Sequence, residues 1–261
     1  MTRLTFLGTG TSQGVPMIGC ACEICSSNDP RDNRLRSSVL VEHDGLKILV
    51  DAGPDFRQQM LRAGVRHLDA ILLTHNHKDH TGGLDDIRAF NFIEKKATEI
   101  YCEKYVEDSL RMEYGYAFAE KKYPGAPEWN VHIIDENPFT VTAGWPHEAL
   151  KAEIIPIRGM HFKLPVLGYR FGDIAYCTDM NHIAEEEFEK LQGLEHFIIN
   201  CVQYDKHISH YSLDEAVKVA QKVGAKHSWL THLSHRLHRH EILSAELPSG
   251  ILPAYDGLII E

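Results

Sequence analysis

The chain has 261 residues, 43% of them hydrophobic and 25% charged, a balance ordinary for a globular protein and a length sufficient to bury a core without disulfide staples. Its formal net charge is −10, and an acidic surface repels phosphate backbones, which makes nucleic acid a poor partner without excluding a small anion held at a metal. No apolar run reaches the length of a membrane-spanning helix and no signal peptide stands at Met1 to Gly10, so the expectation is a cytoplasmic chain with no membrane partner.

Arg3 to Leu7 reads as a strand that ends in the glycine turn Gly8-Thr9-Gly10. Ser38 to Glu42 and Lys47 to Val50 read as a hairpin around Asp44-Gly45. Pro54 to Ala63 reads as a helix opened by proline and closed by Gly64. Ala70 to Leu73 is a buried strand stopping at Thr74, and Leu84 to Phe92 a helix. In the second half, Ala152 to Ile157 is a strand, and Val166 to Phe171 pairs with Ile174 to Cys177 around Gly172-Asp173. Ala184 to Leu191 is acidic, amphipathic and helical. Phe197 to Asn200 is a strand, Ser212 to Val223 a helix and Ser228 to Thr231 a strand. Residues 115–150, with scattered Pro, Gly and Trp, read as an insertion or lid. No repeat, low-complexity tract or linker divides the chain. The pattern predicts one α/β domain over residues 1–261, with two sheets packed face to face and helices outside.

The chemistry concentrates in Thr74-His75-Asn76-His77-Lys78-Asp79-His80, directly after the strand Ala70 to Leu73. Imidazole nitrogen and carboxylate oxygen suit borderline metals such as zinc. His75 and His77 alternate on an extended segment and point the same way, while Asp79 and His80 turn toward a second point nearby. That geometry suits two cations roughly 3.5–4 Å apart.

The run H-x-H-x-D-H after a strand resembles the signature of the metallo-β-lactamase superfamily, and the resemblance spans nearly the whole chain. It implies a four-layer αββα sandwich. It also implies that His161, after Ala152 to Ile157, joins His75 and His77 at one metal. Asp79, His80 and His232, the last after Trp229-Leu230-Thr231, would hold the other. Asp179, after Ile174 to Thr178, would bridge them. Asp51 stands where the superfamily keeps an aspartate and would orient the metal-binding loop without ligating.

The six cysteines are unevenly placed: Cys20, Cys22 and Cys25 cluster, while Cys102, Cys177 and Cys201 are scattered and read as small buried apolar residues. Three clustered thiols in a reducing compartment argue for metal over disulfide. They are one ligand short of a closed structural zinc site, and His235 in Leu230-Thr231-His232-Leu233-Ser234-His235 is the candidate fourth. The early glycines Gly8, Gly10 and Gly14 have the wrong spacing for a dinucleotide fingerprint and read as a structural turn leading to the cysteines. Gly8 to Pro16, then Gly19-Cys20 to Cys25, then the closing L-T-H-x-S-H together resemble a narrower family, the PhnP-type phosphoribosyl cyclic phosphodiesterases.

That resemblance implies hydrolysis of a small phosphodiester, of the cyclic ribose type, by hydroxide activated at a dinuclear zinc, manganese or iron centre, with a separate structural zinc and a homodimer. Asp79 would be essential to catalysis. His210, before the helix at Ser212, would be the acid or phosphate ligand, with His207 a weaker competitor. Arg88 could clamp phosphate but reads equally as a solvated helix arginine. Residues 90–150 depart from the PhnP pattern. The rivals are a non-catalytic accessory protein of cofactor biosynthesis (PqqB-like), a tRNA 3′ nuclease, which the acidic charge disfavours, and thioesterases or lactonases. A diiron flavoprotein is excluded, because His77 stands where those proteins place Glu and no residues remain for a flavodoxin-like domain.

Overall fold

The computed structural model, which describes residues 2–143 and 150–261, is built from strands that are apolar on both faces. In β1 (Arg3–Gly8), β2 (Ser38–His43) and β3 (Leu46–Val50), Leu4, Phe6, Val39, Val41, Ile48 and Val50 point one way, and Leu7, Leu40 and Leu49 the other. A strand buried on both faces needs cover on both sides, and fully burying one such aliphatic side chain stabilises by about 1.5–3 kcal/mol. The first sheet continues through β4 (Ala70–Leu72), β5 (Thr98–Cys102) and β6 (Trp129–Ile133), all parallel to β3. The second sheet holds β7 (Phe139–Ala143), β8 (Leu150–His161), β9 (Leu164–Phe171), β10 (Ile174–Cys177), β11 (His182–Ile183), β12 (His196–Asn200), β13 (His227–Thr231) and β14 (Ile251–Pro253), in the order β11-β8-β9-β10-β12-β13-β14 with β7 on β8. The C-terminal β15 (Ile259–Ile260) returns to pair with β1.

Three apolar layers follow. One lies between the sheets, where Phe6, Val41 and Ile48 meet Leu167, Tyr169 and Tyr176. A second lies between the first sheet and α1 (Phe56–Ala63), α3 (Arg88–Glu94) and α4 (Lys104–Glu113), with the four-residue α2 (Lys78–Thr81) at the strand ends. The third covers the second sheet with α5 (Leu213–Val223) and α6 (His240–Glu246). This is the expected αββα sandwich. The helix α5 shows how directly sequence sets an element. Leu213, Ala216, Ala220 and Val223 recur at helical spacing on its buried face, Ser212 and Glu215 form a capping box, and Gly224 closes it in the left-handed region at φ 67. Such a cap contributes about 1 kcal/mol. No helix among the described residues is long and apolar enough to cross a membrane.

Several expectations shift. The helix read from Pro54 begins at Phe56, with Asp55 as its N-cap, and the Asp55 carboxylate bonds Arg36 N (2.9 Å) and Nη1 (3.0 Å) instead of capping. The helix read over Leu84 to Phe92 divides into a 3-10 turn, Leu84–Ile87, and α3. Glu185–Leu191 takes the tighter 3-10 form. The insertion or lid read at 115–150 is corrected. Trp129–Ile133 is the edge strand of the first sheet and Phe139–Ala143 pairs with β8. Edge strands bury one face only, so they lack the long apolar runs that mark the central ones. Residues 144–149 of that segment lie outside the described residues. The strand β8 runs on to His161, which makes that histidine its last residue.

Gly53 and Gly83 let the segment after β3 lie against the metal-binding loop. A Cβ at Gly53 would be driven into the Asp79 carbonyl oxygen, a backbone atom that cannot swing away. Gly53→Ala is therefore expected to lower stability by about 1–3 kcal/mol, the usual cost of overpacking, read as a lower urea midpoint at unchanged m-value.

Candidate metal centre

The ends of β4, β8, β10 and β13 open at one edge of the sandwich, the usual site of ligand binding beyond the carboxyl ends of parallel strands. His75 to His80 follow β4, His161 ends β8, Asp179 follows β10 and His232 follows β13. One ligand atom each from Asp79, His80, Asp179 and His232 lies within 4.8 Å of the others. Beside them the ring of His77 is 4.6 Å from His75 and 5.0 Å from His161, centroid to centroid, and His75 is 5.7 Å from His161. All seven side chains expected to surround two cations converge. His210 joins them: its ring is 4.6 Å from His161, its Nδ1 is 3.9 Å from Asp179 Oδ2, and it forms a second possible ligand group with His161 and Asp179.

The imidazoles are oriented by bonds behind them. Asp51, fully buried at the end of β3, accepts from Thr74 N and Thr74 Oγ1 at 2.9 Å and from His80 Nδ1 at 2.6 Å. Thr74 Oγ1 in turn accepts from His75 Nδ1 at 2.9 Å. His161 Nδ1 donates to Ser209 O at 2.9 Å. These bonds occupy the Nδ1 positions; the buried Nε2 of His75 has no hydrogen-bond partner among the described residues, and that of His80 faces Asp79 Oδ2 at 3.2 Å and Asp179 Oδ1 at 3.3 Å. Buried imidazole nitrogens left without hydrogen bonds beside carboxylates are what a metal site requires. His232 Nδ1 lies 3.1 Å from Ser37 Oγ and 3.2 Å from Asp179 Oδ1.

The electrostatics point the same way. Burial opposes charge on His80, yet Asp179, Asp79 and Asp51 overcome it and hold its pKa well above the ordinary histidine value. Burial also opposes charge on Asp179, and His232 and His80 outweigh it, leaving the carboxyl well below its usual range. The pocket demands positive charge. His210 is instead pushed down to about 3, first by burial and then by His232, so it stays neutral at neutral pH with one N–H to offer.

At the neighbouring edge the second cluster is also formed. Ligand atoms of Cys20, Cys22, Cys25 and His235 lie within 4.8 Å of one another, with His235 Nδ1 3.3 Å from Cys20 Sγ and 3.5 Å from Cys22 Sγ. Zinc–sulfur bonds of about 2.3 Å place tetrahedral ligands about 3.8 Å apart, so the set needs only small adjustment to close on zinc. The Cys25 N–H aimed at Cys22 lowers that thiol to about 6 against the effect of burial, whereas burial pushes Cys25 up to about 11. The early glycine turn brings the cluster together. Leu233 N donates to Thr9 O at 2.8 Å and Thr11 N to Leu233 O at 3.2 Å, which sets the Cys20–Cys25 segment beside His235. Cys102, Cys177 and Cys201 are buried and apart, as expected.

Sequence reasoning missed three supports. Ser37 and Ser209 carry no readable signal, the second acting through its carbonyl. Asn200 does: it ends an apolar strand, and it brackets Met180 with bonds of 2.8 and 2.9 Å that fix the segment after Asp179. Arg88 is exposed and pairs with Asp85 at 3.1 Å, which matches its reading as a solvated helix arginine.

Comparison with known proteins fits this geometry. Residues 47–233 match the family described as the beta-lactamase superfamily domain. A solved structure described as a new diphosphatase from the PhnP family superposes with a TM-score of 0.89 at 39% identity, covering 100% of this chain and 98% of that one. A zinc-bound PqqB from Methylobacterium extorquens superposes at 0.75 with 19% identity, covering 99% of each chain, which shows the shared fold. An octanoyltransferase of Porphyromonas gingivalis is 42% identical over 258 residues, 98% of this chain but 51% of its own length. The chain thus spans about half of that curated relative.

Asp51 touches no expected cation position, yet it holds both Thr74 and His80. Asp51→Asn is expected to weaken divalent-metal retention by about 10–100-fold, measured by competition against a chelator of known affinity.

Proposed function

Because the chain belongs to the beta-lactamase superfamily and, within it, to the PhnP family, we propose that it is a metal-dependent phosphodiesterase acting on a small, cyclic-ribose-type phosphodiester. The observation that carries the reading is Asp179, whose carboxylate stands between two adjacent ligand groups, Asp79–His80–His232 on one side and His161–His210 on the other, with His75 and His77 next to His161. In this reading His75, His77 and His161 would hold one cation, Asp79, His80 and His232 would hold a second, and Asp179 would serve both. Zinc, manganese and iron all suit this donor set. Two cations there would supply a water that is acidic near neutral pH and positive charge against the non-bridging oxygens of the phosphodiester.

The chain's own residues do the rest. Asp79 would complete the ligand set with His80, Asp179 and His232. His210, buried and neutral, would donate its ring N–H as a hydrogen bond to a phosphoryl oxygen. Asp51, Thr74 and Ser209 fix the imidazoles before substrate arrives, so no reorganisation is needed on binding. Cys20, Cys22, Cys25 and His235 would hold a structural zinc beside the loop that carries His232.

Elemental analysis of protein purified without chelator is expected to give about three metals per chain, falling to about two in Cys22→Ser. Asp79→Ala is expected to abolish hydrolysis of an aryl phosphodiester, and His210→Ala, which removes a preorganised hydrogen-bond donor, to lower kcat by about 100–1,000-fold. Full metal loading with no turnover of any phosphodiester would instead favour the non-catalytic accessory role.

A further inference from the structure

Between His161, the last residue of β8, and Leu164, the first of β9, the chain reverses through Phe162 and Lys163 alone, with His161 and Leu164 paired across the ladder. Phe162 has φ 58. Two-residue hairpins give that region to glycine, asparagine or aspartate, because a β-carbon is strained there. Burial does not offset the strain, since Phe162 is 51% exposed. Neither turn preference nor core packing accounts for a phenylalanine at this position, and strain held beside an active site is a reason to look for a function.

The turn is held from outside. Phe162 N donates to Asn181 Oδ1 at 2.9 Å, and Asn181 Nδ2 donates to Ile208 O at 3.0 Å. Asn181 also donates its own N–H to Met160 O at 2.8 Å. One asparagine, two residues beyond Asp179, therefore clamps the Phe162 turn to the loop that carries His207, Ile208 and His210. On that loop the ring of His207 is 5.1 Å from His210, which is 4.6 Å from His161. The clamp thus fixes the backbone of an exposed phenylalanine one residue from a metal-centre histidine. The Lys163 ammonium is 5.4 Å from the Phe162 ring, so a positive charge shares the platform on a chain of net charge −10.

We infer that Phe162 and Lys163 form a substrate-recognition platform at the rim of the metal centre, taking a nucleotide-class phosphodiester whose heteroaromatic ring stacks on Phe162 while Lys163 draws a further anionic group. This deepens the phosphodiesterase reading and rests on it for the position of the scissile phosphate. An exposed aromatic face stacks any nucleobase, whatever its hydrogen-bonding edge, so the platform selects for the presence of a base and not for its identity.

The test compares two cyclic diesters that differ only in the base, 2′,3′-cyclic AMP and the methyl riboside 2′,3′-cyclic phosphate, on the metal-loaded protein. Phe162→Gly is the informative variant because the turn accepts glycine without strain. Its preference for the base-bearing diester, as a ratio of kcat/KM values, is expected to fall about tenfold, while Phe162→Tyr keeps it. A ratio that moves by less than about twofold, or Tyr and Gly variants that behave alike, would overturn the platform. Should neither diester be cleaved, the phosphodiesterase reading fails, and equilibrium dialysis still decides the platform. Wild type should then bind AMP about tenfold more tightly than ribose 5-phosphate and Phe162→Gly should not, whereas equal binding by wild type refutes it.

Discussion

The buried carboxylate of Asp51 is the constraint on which the metal-binding edge depends. An ionised group taken out of water is tolerated only with full hydrogen bonding, and Asp51 has it: two bonds from Thr74 and one from His80, with its own N–H given to Leu72 O at 2.9 Å. Ala52 N donates to His80 O at 2.8 Å and Gly83 N to Ala52 O at 2.9 Å. The short segment after β3 therefore grips the metal loop at its start and at its end. Burial raises the Asp51 carboxyl above the ordinary carboxylate range, and the His80 ring it orients, with the Thr74 bonds, works against that rise.

Strain collects at the same edge. Asp51, Asp179 and His232 all adopt positive φ, at 64, 58 and 56 degrees, each just beyond a strand of the sandwich. Side chains with a β-carbon enter that region at a cost of order 1 kcal/mol or more, aspartate among those that tolerate it best. The turn so made reverses a strand end sharply enough to bring ligands from β10 and β13 onto the loop after β4. The cysteine cluster belongs to the same economy of form. His235 stands three residues beyond His232, and Leu233 between them is bonded to Thr9 and Thr11, so whatever closes the four-ligand cluster also steadies the strained histidine.

How much of this was legible in advance varied with the kind of signal. The loop His75 to His80, the cysteine trio and the elements α5 and β2–β3 were readable because their information is local: ligand types at short spacing, a capping box, a two-residue turn between apolar runs. The strands β5, β6 and β7 and the helices α4 and α6 were not. Edge strands such as Trp129–Ile133 bury one face, and the amphipathic stripe of α4 carries charged residues that also pair along its surface, Lys104 with Asp108 at 2.6 Å and Arg111 with Glu107 at 2.7 Å. At α1 a tertiary partner, Arg36, took the Asp55 side chain that would have capped the helix.

The amino-acid sequence by itself determined the chemistry: which residue types could hold cations, that one group lay on a loop after a buried strand, and that thiols clustered where a disulfide was not expected. It determined the layered architecture as well, since strands apolar on both faces admit few other packings. Only the tertiary structure decided which distant residues meet, that Asp179 stands between two ligand groups, that Ser37, Asn200 and Ser209 orient them, and that Phe162 stands exposed in the turn next to His161. Those facts rest on contacts between segments up to about two hundred residues apart, such as Ser37 with His232, and on backbone angles that no local pattern specifies. Convergence of that kind is set by how the two sheets pack and where their strands end, not by spacing along the chain.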